Sequence, residues 1–296
     1  MNLLNYFAVF ALVLAKKGVV VMHKRVLLLL DLEGVNNVVG EPYSGLSKGT
    51  EQWQIAVEQA TLEINAAAEA LFDAGAAKVG FWDNHGGGGN VDEAKLDSRI
   101  VIHHPEGGMP RMYFAAGEYD CACFFGYHAM EGTLGGVLAH TMNSKCNQFY
   151  KLNGKYIGEV DMDAYILAES GIPSVFFAGG DIACSQAKRA VPGIVTVVTK
   201  KEISRNAAEF RDNAELLRDI GEQITVAVDQ DVVPNKLAFP AVFEKSFKRM
   251  EDAAVYLTKM TGRGIAAEHP EDDILGRDAH TVVSKVNGIL EFISCI

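Results

Sequence analysis

Long hydrophobic runs, positive charge and cysteine are all scarce in this chain of 296 residues. The longest purely apolar run, Tyr6–Ala15, has ten residues and is closed by Lys16 and Lys17. A bilayer-spanning helix takes about 20, so no stable membrane association is expected. The run has the length of a secretory h-region, with Val13 and Ala15 ahead of a cleavage point, but no basic residue precedes it. Met22 offers an alternative start that leads straight into a strand. Residues 1–21 are therefore read as an N-terminal extension, signal-like or a non-native start, and kept out of the fold reasoning. Lys and Arg number 27 against 38 Asp and Glu, a net charge of −11. That balance repels phosphate backbones, and no nucleic-acid partner is expected. The densest basic cluster is Lys245, Lys248 and Arg249, flanked by Glu244, Glu251 and Asp252, and it reads as a solvated helical face. The five cysteines are odd in number and form no CxxC pair. Cys121 and Cys123 stand two apart in an apolar run, on one face of a strand, where a core role is expected. Reduced thiols in the cytoplasm fit this usage best. Nucleotide-binding signatures are missing too. The run Gly86–Gly89 has neither GxGxxG spacing nor a following Lys-Ser/Thr, so it reads as a flexible loop.

What the chain does have is apolar residue in quantity. At 49% hydrophobic and 22% charged it can bury a sizeable core. From Val26 onward the pattern alternates strand, loop and helix. Val26–Leu30, Lys78–Trp82, Cys121–Phe125, Val175–Ala178 and Ile194–Thr199 are short, mainly apolar strand candidates. Helices are expected from about Thr50 to Asp73, Glu159 to Ser170 and Asn206 to Val228. Asn153–Gly154 marks a two-residue hairpin turn. The alternation predicts an α/β fold, a mainly parallel sheet covered by helices on both faces. Val233–Pro234 marks a linker between a catalytic domain, residues 22–234, and a smaller α+β C-terminal unit, residues 235–296. In that unit the pattern predicts strands near 241–244 and 264–267, a helix over 249–259 and a last helix over about 271–290.

In parallel α/β sheets ligands bind beyond the carboxyl ends of the strands. Asp31 and Glu33 follow the first strand, Asp83, Asn84 and His85 the second, and Tyr127 and His128 the third. Glu159 opens the helix after the hairpin, and His140 stands twelve residues beyond His128. Each has a plain alternative. Asp31 and Glu33 fit a wet strand end, His85 a solvent-facing loop, His128 a packed core position and Glu159 an ordinary first-turn carboxylate. His103 and His104 read as surface residues, and His269–Pro270 with the acids after it as a helix start. Together the set says more. Two imidazoles and three carboxylates at one sheet edge suit a pair of borderline divalent cations, whose chemistry is hydrolysis.

These blocks resemble a known family. Asp31–Leu32–Glu33–Gly34, Asp83–Asn84–His85, Gly126–Tyr127–His128–Ala129, His140–Thr141–Met142 and Gly158–Glu159 are similar, in order and approximate spacing, to the DppA-type D-aminopeptidases. The resemblance runs from about Val26 to the C-terminus. It implies a binuclear metallopeptidase with two zinc ions per subunit, manganese or cobalt being alternatives for the same ligands. By position, Asp31 would bridge the ions, Glu33 and His85 would complete one site, and His128 and Glu159 the other. His140 would be the catalytic histidine. The resemblance further implies cleavage of dipeptides or short peptides from the free amino end, with a preference for D-amino acids. It also implies a homo-oligomeric ring, decameric in the type family. Asp161, Asp163 and Asp181 are candidates to hold the substrate's amine.

Two rivals stand beside this reading. One is a binuclear hydrolase of another amide or a phosphoester, and the other a non-catalytic, metal-dependent peptide-binding protein. A phosphoesterase wants Arg or Lys near the metals, and none lies within the blocks. A mere binder has no need of His140.

Overall fold

The computed structural model describes residues 24–42, 45–105, 107, 110–270 and 278–296. The N-terminal extension, and with it the reading of Tyr6–Ala15, lies outside the described residues. The apolar segments become β1 (Arg25–Leu30), β2 (Lys78–Asp83), β3 (Val101–Ile102), β4 (Cys121–Tyr127), β5 (Asn147–Leu152), β6 (Lys155–Ile157), β7 (Ser174–Gly179) and β8 (Val195–Val198). Then follow β9 (Lys200–Ser204), β10 (Ala207–Phe210), β11 (Ala241–Phe247), β12 (Ala266–Glu268) and β13 (Thr281–Val286). The helices are α1 (Glu51–Asp73), α2 (Glu159–Glu169), α3 (Asp181–Ala190), α4 (Asn213–Val228), α5 (Met250–Gly262) and α6 (Ile289–Cys295).

Six strands form the main sheet, in the order β3-β2-β1-β4-β7-β8, and every pairing in it is parallel. This is the α/β fold that the alternation predicts. Strand periodicity divides each strand between two cores. Val26, Leu28 and Leu30 face the helices α1 and α4, alongside Ile64, Leu71, Ile220 and Ile224. Leu27 and Leu29 face the other way, towards Val160 and Ile166 of α2 and Ala187 of α3. Cys121 and Cys123 are buried among the first set, as expected of core thiols.

The remaining strands form an antiparallel sheet, β12-β13-β11-β5-β6, and a separate β9–β10 ribbon. The β5–β6 turn has φ of 49° at Asn153 and 77° at Gly154, the left-handed pair that an Asn-Gly hairpin turn requires. The C-terminal strands thus share one sheet with this hairpin, through β11 paired to β5.

Three expectations are corrected. Residues 271–277 lie outside the described residues, and 281–286, expected as helix, is β13. Val282, Ser284 and Val286 share its buried face, and Val282 and Val286 are fully buried against β11 and β12. The segment 207–210 is β10, and the helix begins only at Asn213, where Asp212 caps it by accepting from the Glu215 amide at 3.0 Å. The basic cluster is not a helical face either. Lys245 sits in β11, buried, with Nζ 4.9 Å from the ring centroids of both Tyr150 and Tyr256. Burial pushes its pKa down to about 8. Among the described residues no helix is long and apolar enough to cross a membrane.

Candidate metal centre

β1 and β4 are neighbours, but the chain leaves them toward opposite ends of the sheet, and their carboxyl ends open a crevice. Into it project Asp31 and Glu33 after β1, His85 after β2 and His128 after β4. The two strand exits run unusually close. The Asp31 amide donates to Phe125 O at 2.8 Å and the Gly34 amide to Gly126 O at 2.6 Å. A Cβ at Gly34 would lie 2.1 Å from Tyr127 O, and one at Gly126 only 1.9 Å from Asp31 O. Gly126 also has φ +67°, in the left-handed region. Just there the register of β4 against β7 slips, between Phe125 and Tyr127, a bulge that re-aims His128.

The six expected residues converge. Asp31 Oδ1 lies 2.8 Å from His85 Nδ1, and Glu33 Oε2 is 3.1 Å from the same nitrogen. Asp31 Oδ2 lies 3.3 Å from His128 Nε2, which is 3.4 Å from Glu159 Oε1. The donor atoms of Asp31, Glu33 and His85 lie within 4.8 Å of one another, and so do those of Asp31, His128 and Glu159 and those of Glu33, His128 and His140. Asp31 is common to the first two sets, one oxygen turned to each. The His140 ring stacks on that of His128 at 4.0 Å, with its Nε2 3.9 Å from Glu159 Oε1.

Neighbouring groups fix these side chains. His128 Nδ1 and His140 Nδ1 donate to the carbonyls of Ala129 and Leu138, at 2.9 and 2.8 Å. A carbonyl only accepts, so in each neutral ring the lone pair is on Nε2. The Met142 amide donates to Glu159 Oε1 at 2.8 Å. Asp83 accepts from the Asn90 amide and side chain, and Asn90 Nδ2 donates to His85 O at 2.7 Å. Asp83 therefore ties down the glycine loop that carries His85.

Left to itself this cluster is short of positive charge. Burial opposes ionisation of Asp31, but His128 and His85 outweigh it and hold the carboxyl well below its usual range. Burial likewise disfavours a charged His85, and Glu33 and Asp31 nonetheless push its pKa up to about 11. His128 is raised well above normal against the same burial, by Asp31 and Glu159. Two buried atoms, Glu33 Oε2 and His128 Nε2, make no hydrogen bond. A divalent cation at each donor set would take the place of the extra protons the two rings otherwise hold and would satisfy both atoms. The residues fit a metal centre.

Across residues 24–265 the sequence matches the profile of the D-aminopeptidase peptidases, family M55. The chain belongs to the D-aminopeptidase family. It is thus a hydrolase, an aminopeptidase with a metal-ligand cluster at its sheet edge. It is 27% identical over 207 residues to the D-aminopeptidase of Bacillus subtilis strain 168, covering 67% of this chain and 72% of that one. Among solved structures it is similar in fold to the Zn-dependent D-aminopeptidase DppA from Bacillus subtilis, described as a self-compartmentalizing protease. The TM-score is 0.79 at 23% identity, over 91% of this chain and 94% of that one.

In this member of the D-aminopeptidase family the cluster lies in a cavity of about 560 Å³, the size of a small-ligand cleft. The three acids expected to hold a substrate amine are engaged elsewhere. Asp161 accepts from the Gly158 amide at 2.8 Å as a helix cap, Asp163 pairs with Arg111, and Asp181 accepts from the Glu202 amide at 2.8 Å. His103 is no surface residue. It is half-buried, stacks on Phe114 at 4.5 Å and hydrogen-bonds Tyr119. Sequence reasoning found no cation near the blocks, yet Arg111 and Arg205 both line the cavity. Neither stands near a block in sequence, so no local signal marked them.

Proposed function

We propose that this chain is a zinc aminopeptidase with a binuclear centre, cleaving dipeptides or short peptides from the free amino end with a preference for D-residues. The observation that carries this reading is the division of Asp31 between two donor sets. Asp31 would bridge two ions, with Glu33 and His85 on one and His128 and Glu159 on the other. When bound, the pair of zinc ions lowers the pKa of a shared water and polarises the scissile carbonyl. The side chains supply the rest. His128 and Glu159 are pre-set by Ala129 O and the Met142 amide, so little reorganisation accompanies substrate binding. His140 keeps its proton on Nδ1 for Leu138 O, which leaves Nε2 free to take the water's proton and pass it to the leaving amine. Glu159 Oε1 lies 3.9 Å from that nitrogen. A protein that only bound peptides would gain nothing from a second histidine held this way.

Residues 22–234 would carry this chemistry, in the cytoplasm, within a ring of copies of the chain. The ring rests on what is said of DppA, a self-compartmentalizing protease. Light scattering on the purified protein tests it, and a monomer would refute it. The activity is tested by release of free alanine from D-Ala-D-Ala and L-Ala-L-Ala, with metal-replete protein and a chelated control. Chelator-sensitive cleavage of the D-peptide is expected. Cleavage of the L-peptide alone would keep the mechanism and reject the stereochemistry. No release from either, by protein holding two zinc ions, would reject the peptidase reading.

A further inference from the structure

Arg111 comes from the segment between β3 and β4, far in sequence from every ligand block. Its Nε donates to Asp163 Oδ1 at 2.6 Å and its Nη2 to Asp163 Oδ2 at 2.9 Å, a two-point fork. Asp163 is 1% exposed and also accepts from Tyr127 Oη at 2.7 Å and Asn84 Nδ2 at 3.2 Å. The guanidinium carbon lies 5.2 Å from the Trp82 ring centroid. Fork and ring face together fix the plane of the guanidinium. Burial opposes its charge, but Asp163 outweighs burial and keeps it protonated. A buried ion pair serving only to tie a loop to α2 would be sealed from solvent. Arg111 instead keeps 19% of its side chain exposed and lines the cavity. Its Nη1 hydrogens have no protein partner among the described residues.

Its distance from the ligands is set by a helix. Asp163 follows Glu159 by four residues on α2, so the two side chains stand on one face about 5–6 Å apart. Arg111, held by Asp163, therefore lies about one helical turn from a ligand of the metal centre. Consecutive Cα atoms of a peptide are about 3.8 Å apart. In a dipeptide whose first carbonyl sits at the ions, the terminal carboxylate is one peptide unit further along, a span on the scale of that separation.

We propose that Arg111 is the anchor for the substrate's C-terminal carboxylate. This rests on the peptidase reading of the metal centre. Asp163, Trp82 and Asn84 act as positioning residues, holding the guanidinium so that one edge remains for the substrate. A longer peptide or a C-terminal amide places a neutral group there and loses the charge-assisted bonds.

The experiment compares kcat/KM for D-Ala-D-Ala with that for its C-terminal amide, and for the L-peptide with its amide. Wild-type protein, Arg111→Gln and the double variant Arg111→Gln with Asp163→Asn are used, all loaded with zinc. The double variant leaves no buried carboxylate without its partner and guards against simple unfolding. Wild type is expected to favour the free acid at least tenfold, and both variants to lose that preference mainly through KM. Equal losses for acid and amide, with the ratio unchanged, would overturn the anchor and leave a structural role only. Variant-sensitive turnover of p-nitrophenyl phosphate, without an effect on the peptide ratio, would overturn it in favour of a phosphoester. If wild type cleaves none of the four peptides, the peptidase reading falls and the anchor with it.

Discussion

His140, like His128, has its ring held through Nδ1 by a backbone carbonyl. Its Nδ1 is committed to Leu138 O, while Nε2 lies close to Glu159, outside the two donor sets that share Asp31 but within a third, with Glu33 and His128. His140→Ala is expected to lower kcat by about 100- to 10,000-fold, the range for loss of a general base, with two zinc ions still bound. Metal analysis beside the rate decides the role, since a loss of zinc would make His140 a ligand. The site residues were legible in the sequence because all but His140 sit next to a glycine or a strand end, each in a block a few residues long. The glycines carry that signal for a reason of contact. Gly34 and Gly126 are where two backbones touch, and no side chain fits. Arg111 was not legible because its partner, Asp163, is 52 residues away and only the fold brings them together.

At the scale of elements, the segment carrying Glu33 is gripped from below. Lys200 of β9, fully buried, donates to the carbonyls of Glu33, Val35 and Val38 at 2.6, 2.9 and 2.5 Å, and Thr199 Oγ1 to Gly34 O at 2.6 Å. Glu63 of α1 accepts from the Asn36 amide at 2.9 Å, with burial pushing its pKa up to about 7. The folded chain therefore holds the Glu63 proton up to about pH 7, whereas the unfolded chain releases it near 4.5. Stability falls as pH rises across that window, by on the order of 3 kcal/mol. Lys200 acts in the opposite sense. Burial lowers its pKa to about 8 from 10.5, so stability rises with pH between those values. Glu63→Gln is expected to flatten the first slope and to start the second at lower pH, because the Glu63 carboxylate helps keep Lys200 charged; urea midpoints from pH 4 to 10 measure both. A slope unchanged below pH 7 would mean that Glu63 is ionised in the fold. The main sheet and its helices could be read from period and length, whereas β13 could not. Its Thr281, Val282 and Val283 adjoin instead of alternating with polar residues, and a β-branched run beside acids gives an ambiguous local pattern.

The whole molecule carries a net charge of −11 and buries three carboxylates around one cavity. Ions that bind only the folded chain stabilise it by mass action, about 2.7 kcal/mol at a free concentration 100 times Kd. At roughly 2–4 °C per kcal/mol for a chain of this size, chelation should lower the melting midpoint by roughly 5–10 °C. Added zinc should restore it. Differential scanning calorimetry at fixed pH checks this, and an unmoved midpoint in protein that has lost its zinc would count against a buried site.

The shared sheet of the hairpin and the C-terminal strands also bears on synthesis. Glu159 follows β6 directly through Gly158, and β5 and β6 are a two-stranded ribbon until β11 pairs with β5. Such a ribbon alone is marginal in water. All six site residues have left the ribosome long before Ala241–Phe247 does, but the element leading into the last ligand is steadied only then. The hairpin ahead of Glu159 thus gains its third strand only after most of the chain has been made.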